Sequence, residues 1–427
     1  MCMRYVAGMV LFVLMLTSAL SLTCAAAEQV TITMILFNRE EEAKWQQAVL
    51  DMFHKQQDRI RVELISSAGA ASAVAKAFTM AVAGQPLHIA YADPNDTIGW
   101  GMQGLTIDLE PYFQRDAKTA PLKDFFPVMV DMHRWEGKLF GIPEDLQVQS
   151  FFYNQSHFDE AGIPYPDASW TWDTVAKNAA RLKRDDNGDG VPERWGMRDP
   201  QYLHYWSVFW AFGGELVDNP KRPTKFTGDS LEIQAAFAWF HNMITVEKNM
   251  PPINTIKGST AQHLVGDQTV SMAIGNSLYM QDALKFGTQV RWDVAPMPKG
   301  PAGNPAMSNT IGWVIFNNVP NQEEAWEVIK FFSSEEAMRL AVEMRGTLVP
   351  HLPTAIYVWP RNFNYPESRM QFVQAVDTSR PMPIVYGSGL TAIRNNFANY
   401  TSGKMSLPQA LEAMKAGVEA WIATLPK

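Results

Sequence analysis

Cysteine is almost absent from this sequence. Only Cys2 and Cys24 occur among 427 residues, and both stand close to the N-terminus. A disulfide framework and a cysteine-rich zinc site are therefore excluded. The eight histidines are scattered, without an H-E-x-x-H pattern or a close pair, so a histidine-based zinc site has little support.

Basic residues are also in deficit. Lys and Arg number 36 against 44 Asp and Glu, which gives a net charge of -8. Proteins that bind DNA or RNA usually carry a positive excess or patch, so the composition argues against a nucleic-acid partner. Charged residues make up 19% and hydrophobic residues 47% of the chain, which is typical of a folded protein. At about 150 residues per domain, the length predicts two or three domains.

The first residues have the pattern of a secretory signal peptide. Arg4 is followed by an apolar stretch over residues 5–22, and the small residues Ala25, Ala26 and Ala27 close it. A charged start, an apolar middle and an A-x-A end predict export and cleavage after Ala27. The mature protein is then expected to be soluble and periplasmic.

Two alternatives to cleavage after Ala27 remain open. The apolar stretch could be a transmembrane anchor, although it is near the lower length limit for one and ends in small residues. It could also belong to a lipoprotein cut before Cys24, but Thr23 is a poor match for the Gly, Ala or Ser expected before that cysteine. Lipid anchoring at Cys24 is therefore the less favoured interpretation.

Strand and helix patterns alternate in the mature chain. The runs Val30–Phe37, Ile60–Ile65 and Leu87–Tyr91 are apolar and predict strands. Between them, Trp45 begins an apolar repeat at helical spacing, and Ala70–Ala83 is rich in alanine. Such alternation predicts an α/β fold with mainly parallel sheets. The later elements repeat this order, which suggests two α/β lobes.

Two helix starts carry capping patterns. Ser406 is followed three residues later by Gln409, and Asn321 is followed by Glu324. A Ser or Asn at the N-cap with Glu or Gln at the third helical position satisfies free backbone N–H groups. We therefore predict helices that begin directly after Ser406 and Asn321.

One loop resembles the first half of a calcium-binding EF-hand. Asp185, Asn187, Asp189 and Glu193 have the spacing of Ca²⁺ ligands at positions 1, 3, 5 and 9. Position 12 is Gly196, so the bidentate carboxylate is missing. The sequence predicts no metal site, with a weak calcium site at this loop as the alternative to a polar turn.

Sequence motifs for a cofactor or a nucleophile are unconvincing. Residues 99–104 fit G-x-G-x-x-G, but no predicted strand directly precedes them, as the dinucleotide fingerprint requires. The G-x-S-x-G elbow of serine hydrolases does not occur. We therefore expect no cofactor and no catalysis.

Several short motifs in a fixed order resemble those of a known family. They are Gly137-Lys-Leu-Phe-Gly-Ile-Pro143, Phe152-Tyr-Asn154, Thr171-Trp-Asp173, Ala295-Pro-Met-Pro-Lys-Gly300 and Ile311-Gly-Trp313. Each motif is weak alone, but their order extends over the mature chain. The chain resembles the extracellular solute-binding proteins of ABC transporters, in the sugar-binding group that includes the maltose-binding proteins.

The resemblance implies a two-lobed periplasmic-binding-protein fold. Lobe 1 would comprise residues 28–148 and 305–346, and lobe 2 residues 149–304 and 347–427, joined by hinge crossovers. A carbohydrate ligand would lie in the cleft between the lobes, which close by hinge bending. The closed form would then deliver the ligand to the permease subunits of an ABC transporter, and a monomer is expected.

Sugar chemistry selects candidate ligand-binding residues. Sugar hydroxyls favour carboxylates, amides and Arg, and the C–H faces of a sugar favour flat aromatic rings. Asn38 and Asp93 have an alternative role as helix caps, and two tryptophans at i, i+4 are more typical of a core. The candidates are Phe37, Asn38, Asp93, Glu144, Asp145, Trp206, Trp210, Asn276, Gly312, Trp313, Arg345 and Tyr386.

Two other functions remain open from the sequence. A secreted glycoside hydrolase would also be acidic and rich in aromatic residues, but it needs two carboxylates at a fixed separation. The same fold could instead bind a polyol, a peptide or a glycerol phosphodiester. A phosphate group would require an arginine or a helix N-terminus at the cleft, and Arg345 and Arg394 are candidates.

Overall fold

The computed structural model describes residues 29–37, 40–67, 69–200, 204–253, 255–287 and 289–425. The predicted signal peptide lies outside these ranges. The described strands are β1 (Val30–Phe37), β2 (Ile60–Ser67), β3 (Ile89–Ala92), β4 (Arg134–Trp135), β5 (Lys138–Leu139), β6 (Ile142–Pro143), β7 (Gln147–Asn154), β8 (Met272–Asn276), β9 (Trp292–Ala295), β10 (Met307–Asn309), β11 (Gly312–Ile315) and β12 (Arg380–Pro381).

Helices alternate with these strands through most of the chain. The described α-helices are α1 (Glu40–Gln56), α2 (Ala70–Val82), α3 (Pro94–Met102), α4 (Glu110–Arg115), α5 (Pro127–Asp131), α6 (Gln155–Ala161), α7 (Trp172–Leu182), α8 (Trp206–Phe212), α9 (Leu231–His241), α10 (Ser277–Leu284), α11 (Gln322–Phe332), α12 (Glu335–Arg345), α13 (Met370–Val376), α14 (Gly387–Thr401) and α15 (Leu407–Ile422). The capping box at Ser406 is confirmed, whereas Asn321 has φ 61° and makes no side-chain cap.

The first sheet forms the centre of lobe 1, in the order β2-β1-β3-β11-β6. Strands β2, β1 and β3 are parallel, and β11 is antiparallel to both of its neighbours. The C-terminal half of β1 is buried on both faces. Ile32 and Met34 lie in one core cluster with Trp45 of α1, and Ile35 lies in a second cluster with Ala77 of α2. A strand covered on both faces needs a nearly continuous apolar run, which is the pattern that predicted it.

The second sheet forms the centre of lobe 2, in the order β12-β10-β7-β8, with β9 also paired to β7. Strand β7 is antiparallel to β8, β9 and β10, so the expectation of mainly parallel sheets is wrong for this lobe. All eight residues of β7 are buried. Helices pack on both faces of the sheet at β7, which explains why this strand is buried although its neighbouring strands are antiparallel.

The chain crosses between the sheets three times, near residues 144–146, 310–311 and 346–348. Hydrogen bonds tie these segments together: Glu144 N donates to Ile311 O at 2.7 Å, and Leu146 N donates to Leu348 O at 2.9 Å. Strand β10 pairs with β7 and β11 with β3, so the chain passes from one sheet to the other near Thr310. The lobe boundaries predicted from the sequence stay predictions.

Ion pairs also join the two lobes away from the crossovers. In lobe 2, Lys221 Nζ bonds the Asp131 carboxylate of lobe 1, and Arg222 Nη1 donates to Glu136 Oε1 at 3.1 Å. The Arg222 guanidinium also lies 5.8 Å from the centroid of the Trp135 ring. These side chains are largely exposed, so we expect the contacts to be modest in energy and sensitive to salt.

Tryptophans fill both cores. Trp313 of β11 is fully buried, with its ring centroid 5.0 Å from that of Tyr91 and 5.3 Å from that of Phe332. In lobe 2, Trp206 and Trp210 of α8 are also buried. All three were candidates for stacking on a ligand, and the structure places all three in packing positions instead.

The buried position of Trp313 makes a stability prediction. Trp313→Ala should lower the free energy of unfolding by about 3–5 kcal/mol, because it removes a large buried ring and leaves a cavity. Urea denaturation of the two proteins measures this loss. Trp135→Ala, at a half-buried position of the β4–β5 hairpin, is the control and should cost much less. Equal losses for the two variants would contradict the assignment of Trp313 to the core.

Candidate functional site

A cavity of about 640 Å³ lies between the lobes. Lobe 1 contributes side chains from α2 and from the first turns of α3, and lobe 2 contributes Tyr386, which directly precedes α14. The polar and aromatic lining residues are Phe78, Asp93, Asn95, Asp96, Trp100, Gln103 and Tyr386. The structure therefore brings two predicted candidates, Asp93 and Tyr386, to one cavity from opposite lobes.

Asp93 serves as the N-cap of α3. It follows β3, and its Oδ1 accepts hydrogen bonds from Asn95 N at 2.9 Å and Asp96 N at 3.2 Å. The cap uses backbone donors that a helix start would otherwise present to a ligand. Both roles weighed from the sequence thus coincide, because the same carboxylate caps the helix and lines the cavity.

Asp96 is a lining residue that the sequence analysis missed. Burial and the nearby Asp93 carboxylate raise its pKa to about 7. Burial, and the charge of Asp96, also raise the pKa of Tyr386. Both residues line the same cavity. The signal available in the sequence was the i, i+3 spacing of the two acids, which puts both in the first turn of one helix.

A second cavity, of about 500 Å³, also lies between the lobes. It is lined by the start of α1, by α10 and by the end of α12, and it contains both acidic residues and the bases Lys285 and Arg345. Nearby, the candidate Asn276 caps α10 through bonds from Leu278 N and Tyr279 N. Its Nδ2 also donates to Gln147 Oε1 at 3.4 Å, where β7 leaves the first crossover.

Three charged candidates form a buried cluster at the crossovers. Arg345 Nη1 bonds Glu144 Oε1, and Tyr91 OH donates to Glu144 Oε2 at 3.2 Å. Asp145 Oδ1 accepts from Ile311 N at 2.7 Å. Glu144 and Asp145 are almost completely buried, so the structure assigns them to tying the crossovers together rather than to a ligand.

The Arg345 guanidinium has further partners in lobe 1. It lies 3.6 Å from Glu42 Oε1 and 4.8 Å from the centroid of the Trp45 ring. Glu144 and Glu42 raise the pKa of Arg345, so this arginine stays charged. Burial raises the pKa of Glu144, an effect that Arg345 opposes. An arginine held in this way is poorly placed to bind a phosphate group.

The remaining candidates lie outside the cavity or outside the described residues. A Cβ on Gly312 would lie 2.5 Å from Ile142 O and 2.8 Å from the His133 ring, so protein atoms, not a ligand, approach this glycine. Phe37 ends β1, and the position of its side chain, like all of Asn38, is outside the described residues. These two stay predictions.

The EF-hand-like loop satisfies its own backbone. Asp185 Oδ1 accepts from Gly188 N at 2.8 Å, and Glu193 Oε2 accepts from Asp186 N at 2.7 Å. Asn187 and Asp189 make the same kind of bond to the residue two positions on. Within the described ranges, no group of three or more His, Cys, Asp or Glu is arranged to hold a metal ion.

The crossover cluster makes a testable prediction. Arg345→Met should lower the free energy of unfolding by about 3–5 kcal/mol, because it leaves buried carboxylates without their cation. Without Arg345, Glu144 can be buried only in its protonated form, and taking up that proton costs more free energy at pH 8 than at pH 5. The loss of stability should therefore be larger at pH 8. Urea denaturation at both pH values measures it. Arg339→Met, which removes an exposed i, i+4 pair with Glu335, is the control and should cost far less. A small loss that does not change with pH would contradict the role of the cluster.

The raised pKa of Asp96 makes a second prediction, about stability and pH. The folded protein holds this proton up to about pH 7, whereas the unfolded chain releases it near the usual value of 3.8. The cost of burying the carboxylate is therefore absent below pH 4, grows between pH 4 and pH 7, and is complete above pH 7. Asp96→Asn should raise Tm at pH 8 by at least about 2 °C and leave it nearly unchanged at pH 4. A variant with a lower Tm than the parent at pH 8 would contradict the assignment.

Comparisons with known proteins agree with this architecture. The profile of the family described as bacterial extracellular solute-binding protein matches residues 38–339, more than half of the chain. A curated binding protein of Brucella abortus (strain 2308) is 25% identical over 244 residues, and the match covers 56% of each chain. The chain thus spans about half the length of the curated relatives it matches. No helix among the described residues combines the length and hydrophobicity needed to cross a membrane.

Solved structures resemble the chain over most of its length. An ABC substrate-binding protein of Listeria monocytogenes in complex with cycloalternan has a TM-score of 0.81 at 20% identity, covering 93% of this chain and 100% of that one. The sugar-binding protein MalE of Xanthomonas citri has a TM-score of 0.77 at 17% identity, with coverage of 92% and 98%. Maltose-bound MalE3 of T. maritima has a TM-score of 0.75 at 18% identity, with coverage of 92% and 100%.

At these identities the structural likeness concerns the fold, and it confirms the predicted two-lobed α/β architecture. The family match covers the lobe 1 residues that line the cavity between the lobes, but it ends before Tyr386. The chain therefore belongs to the bacterial extracellular solute-binding proteins.

Proposed function

We propose that this protein binds a carbohydrate of the di- or oligosaccharide class in the cleft between its lobes. Hinge closure over the sugar would then allow delivery to the permease subunits of an ABC importer. The expected site of action is the periplasm, as the signal-peptide pattern suggests, and the expected form is a monomer.

The composition of the inter-lobe cavity carries this proposal. Two carboxylates and two amides from lobe 1 line the cavity together with Phe78 and Trp100, and lobe 2 contributes Tyr386. Hydroxyl-rich ligands with apolar C–H faces fit this combination, because the acceptors bind hydroxyls and the rings cover the faces. The Listeria and T. maritima proteins of the same fold were solved with cycloalternan and maltose, which supports the same ligand class here.

The alternatives from the sequence fit the cavity less well. A glycerol phosphodiester would meet Asp93 and Asp96, and none of the described lining residues is Lys, Arg or His. Arg345, one of the two arginines considered for it, is held by Glu144. A glycoside hydrolase needs two carboxylates that flank the scissile bond. Asp93 and Asp96 instead stand in one turn of one helix, on the same wall. A polyol or a peptide remains compatible with the lining, and binding measurements separate them.

Thermal unfolding of residues 28–427 with a panel of saccharides, polyols and peptides tests the proposal. A ligand that binds only the folded state should add about 2.7 kcal/mol of stability at a hundredfold excess over Kd. We expect a shift with one class of sugar, and chromatography after incubation should recover that sugar intact. A cleaved sugar would favour the hydrolase, and shifts with polyols or peptides alone would replace the proposed ligand class.

Tyr386 gives a specific prediction for the same assay. Tyr386→Phe should raise Kd for the sugar about 3- to 10-fold, because it removes one hydroxyl hydrogen bond and keeps the ring. Isothermal titration calorimetry measures the change. Tyr357→Phe, at an exposed tyrosine of lobe 2, is the matched control and should leave Kd unchanged. Equal affinity in the parent and both variants would remove Tyr386 from the site.

A further inference from the structure

The lobe 1 wall of the 640 Å³ cavity presents hydrogen-bond acceptors close together. Asp93 and Asp96 both line it, and Asn95 lies between them in the sequence. The two backbone bonds that Asp93 accepts both go to Oδ1. Neither carboxylate forms an ion pair with any Lys, Arg or His of the described ranges. This wall therefore carries acidic groups without a cation of the protein beside them.

Asn95 provides an independent observation at the same place. Its side chain is only 7% exposed and lines the cavity, yet Asn95 Oδ1 has no hydrogen-bond donor among the described residues. A buried amide oxygen without a donor is unfavourable unless a ligand or water supplies one. An acceptor in this position therefore points to a ligand that brings N–H or O–H donors.

The charge of the surroundings narrows the kind of donor. Of the described residues that line this cavity, none is Lys, Arg or His. An anionic ligand would be repelled here, and the N–H groups that could attract it at the start of α3 already bond Asp93. A neutral sugar would satisfy the acceptors but leave the acidic charge unpaired. An ammonium group supplies three donors together with the missing positive charge.

We propose that the Asp93–Asn95–Asp96 wall selects a ligand that carries a protonated amine, such as an amino sugar, over its neutral and phosphorylated analogues. The inference rests on the proposed function, since it assumes that the ligand occupies this cleft. It adds the charge of the ligand, which neither the family nor the fold specifies. The Tyr386 and Trp100 rings at the same cavity would assist, because cations are attracted to aromatic faces.

Calorimetry with matched ligands tests the inference. The sugar that gives the largest shift in the panel is compared with its 2-amino-2-deoxy, N-acetylamino and 6-phosphate forms at pH 7.5. We expect the amine to bind at least about tenfold more tightly than the neutral sugar, and the phosphate to bind most weakly. Spermidine distinguishes a non-sugar amine as the source of the same chemistry, and we expect it to bind less tightly than the amino sugar.

Variants locate the preference in this wall. Asp96→Asn should reduce the ratio of amine affinity to neutral-sugar affinity to less than about threefold, whatever it does to the affinity for the neutral sugar itself. Glu343→Gln, an exposed carboxylate at the other inter-lobe cavity, changes the net charge equally and should leave the preference intact. If both variants lower the preference equally, the effect is one of net charge and the inference fails.

Release of a proton from Asp96 on ligand binding can also be measured. It would not occur if Asp96 had only a structural role. Among the described residues that line the cavity, the titratable groups besides Asp96 are Asp93 on its own helix and Tyr386 from lobe 2. Because Asp96 holds a proton near pH 7, binding of an ammonium should release protons, seen as different heats in buffers of different ionisation enthalpy. Asp96→Asn should abolish this release.

The possible failures are distinguishable. If the neutral sugar binds as tightly as its amine, the inference is overturned and the proposed function stands. If spermidine binds more tightly than every sugar, the amine preference stands but the carbohydrate assignment fails. If neither any sugar nor any amine binds, both are wrong.

Discussion

The buried contact between Arg345 and Glu144 is the interaction on which this two-lobed structure depends. Glu144 lies in the first crossover, and Arg345 ends the helix that leads into the third. Asp145 bonds the second crossover through Ile311 N. Charges so deeply buried are costly unless each has its partner, so the three segments hold together at one point. In the proposed function, the lobes would rotate about this point while each sheet keeps its own core.

The acidic residues at the crossovers differ from those at the cavity in whether a cation of the protein lies beside them. At the crossovers, Glu144 has a cation, and the structure uses it for stability. At the cavity, no described lining residue is a Lys, Arg or His, and burial together with the charge of Asp93 raises the pKa of Asp96. Groups kept at a cost to stability are typical of functional sites. The contrast explains why one acidic cluster ties the lobes together and the other is left for a ligand.

Much of the fold could be predicted from the sequence, because it depends on local patterns. Strand β1 has the predicted bounds, and the capping box of α15 is where Ser406 and Gln409 placed it. The site could be predicted only in part. Glu144 and Asp93 look alike in the sequence, and what separates them is Arg345, which is 201 positions from Glu144. Trp313 was misassigned for the same reason, since Tyr91 and Phe332, which cover it, come from distant segments.

The most direct test of the account is a crystal structure of the protein with the saccharide that stabilises it most. The account predicts ligand density between the lobes, with hydroxyl or amine groups within hydrogen-bond distance of Asp93, Asn95 or Asp96, and with Tyr386 reaching it from lobe 2. It also predicts that Glu144 remains bonded to Arg345 in the complex. A ligand on an outer surface, or one that breaks the Arg345–Glu144 contact to bind the arginine, would contradict it.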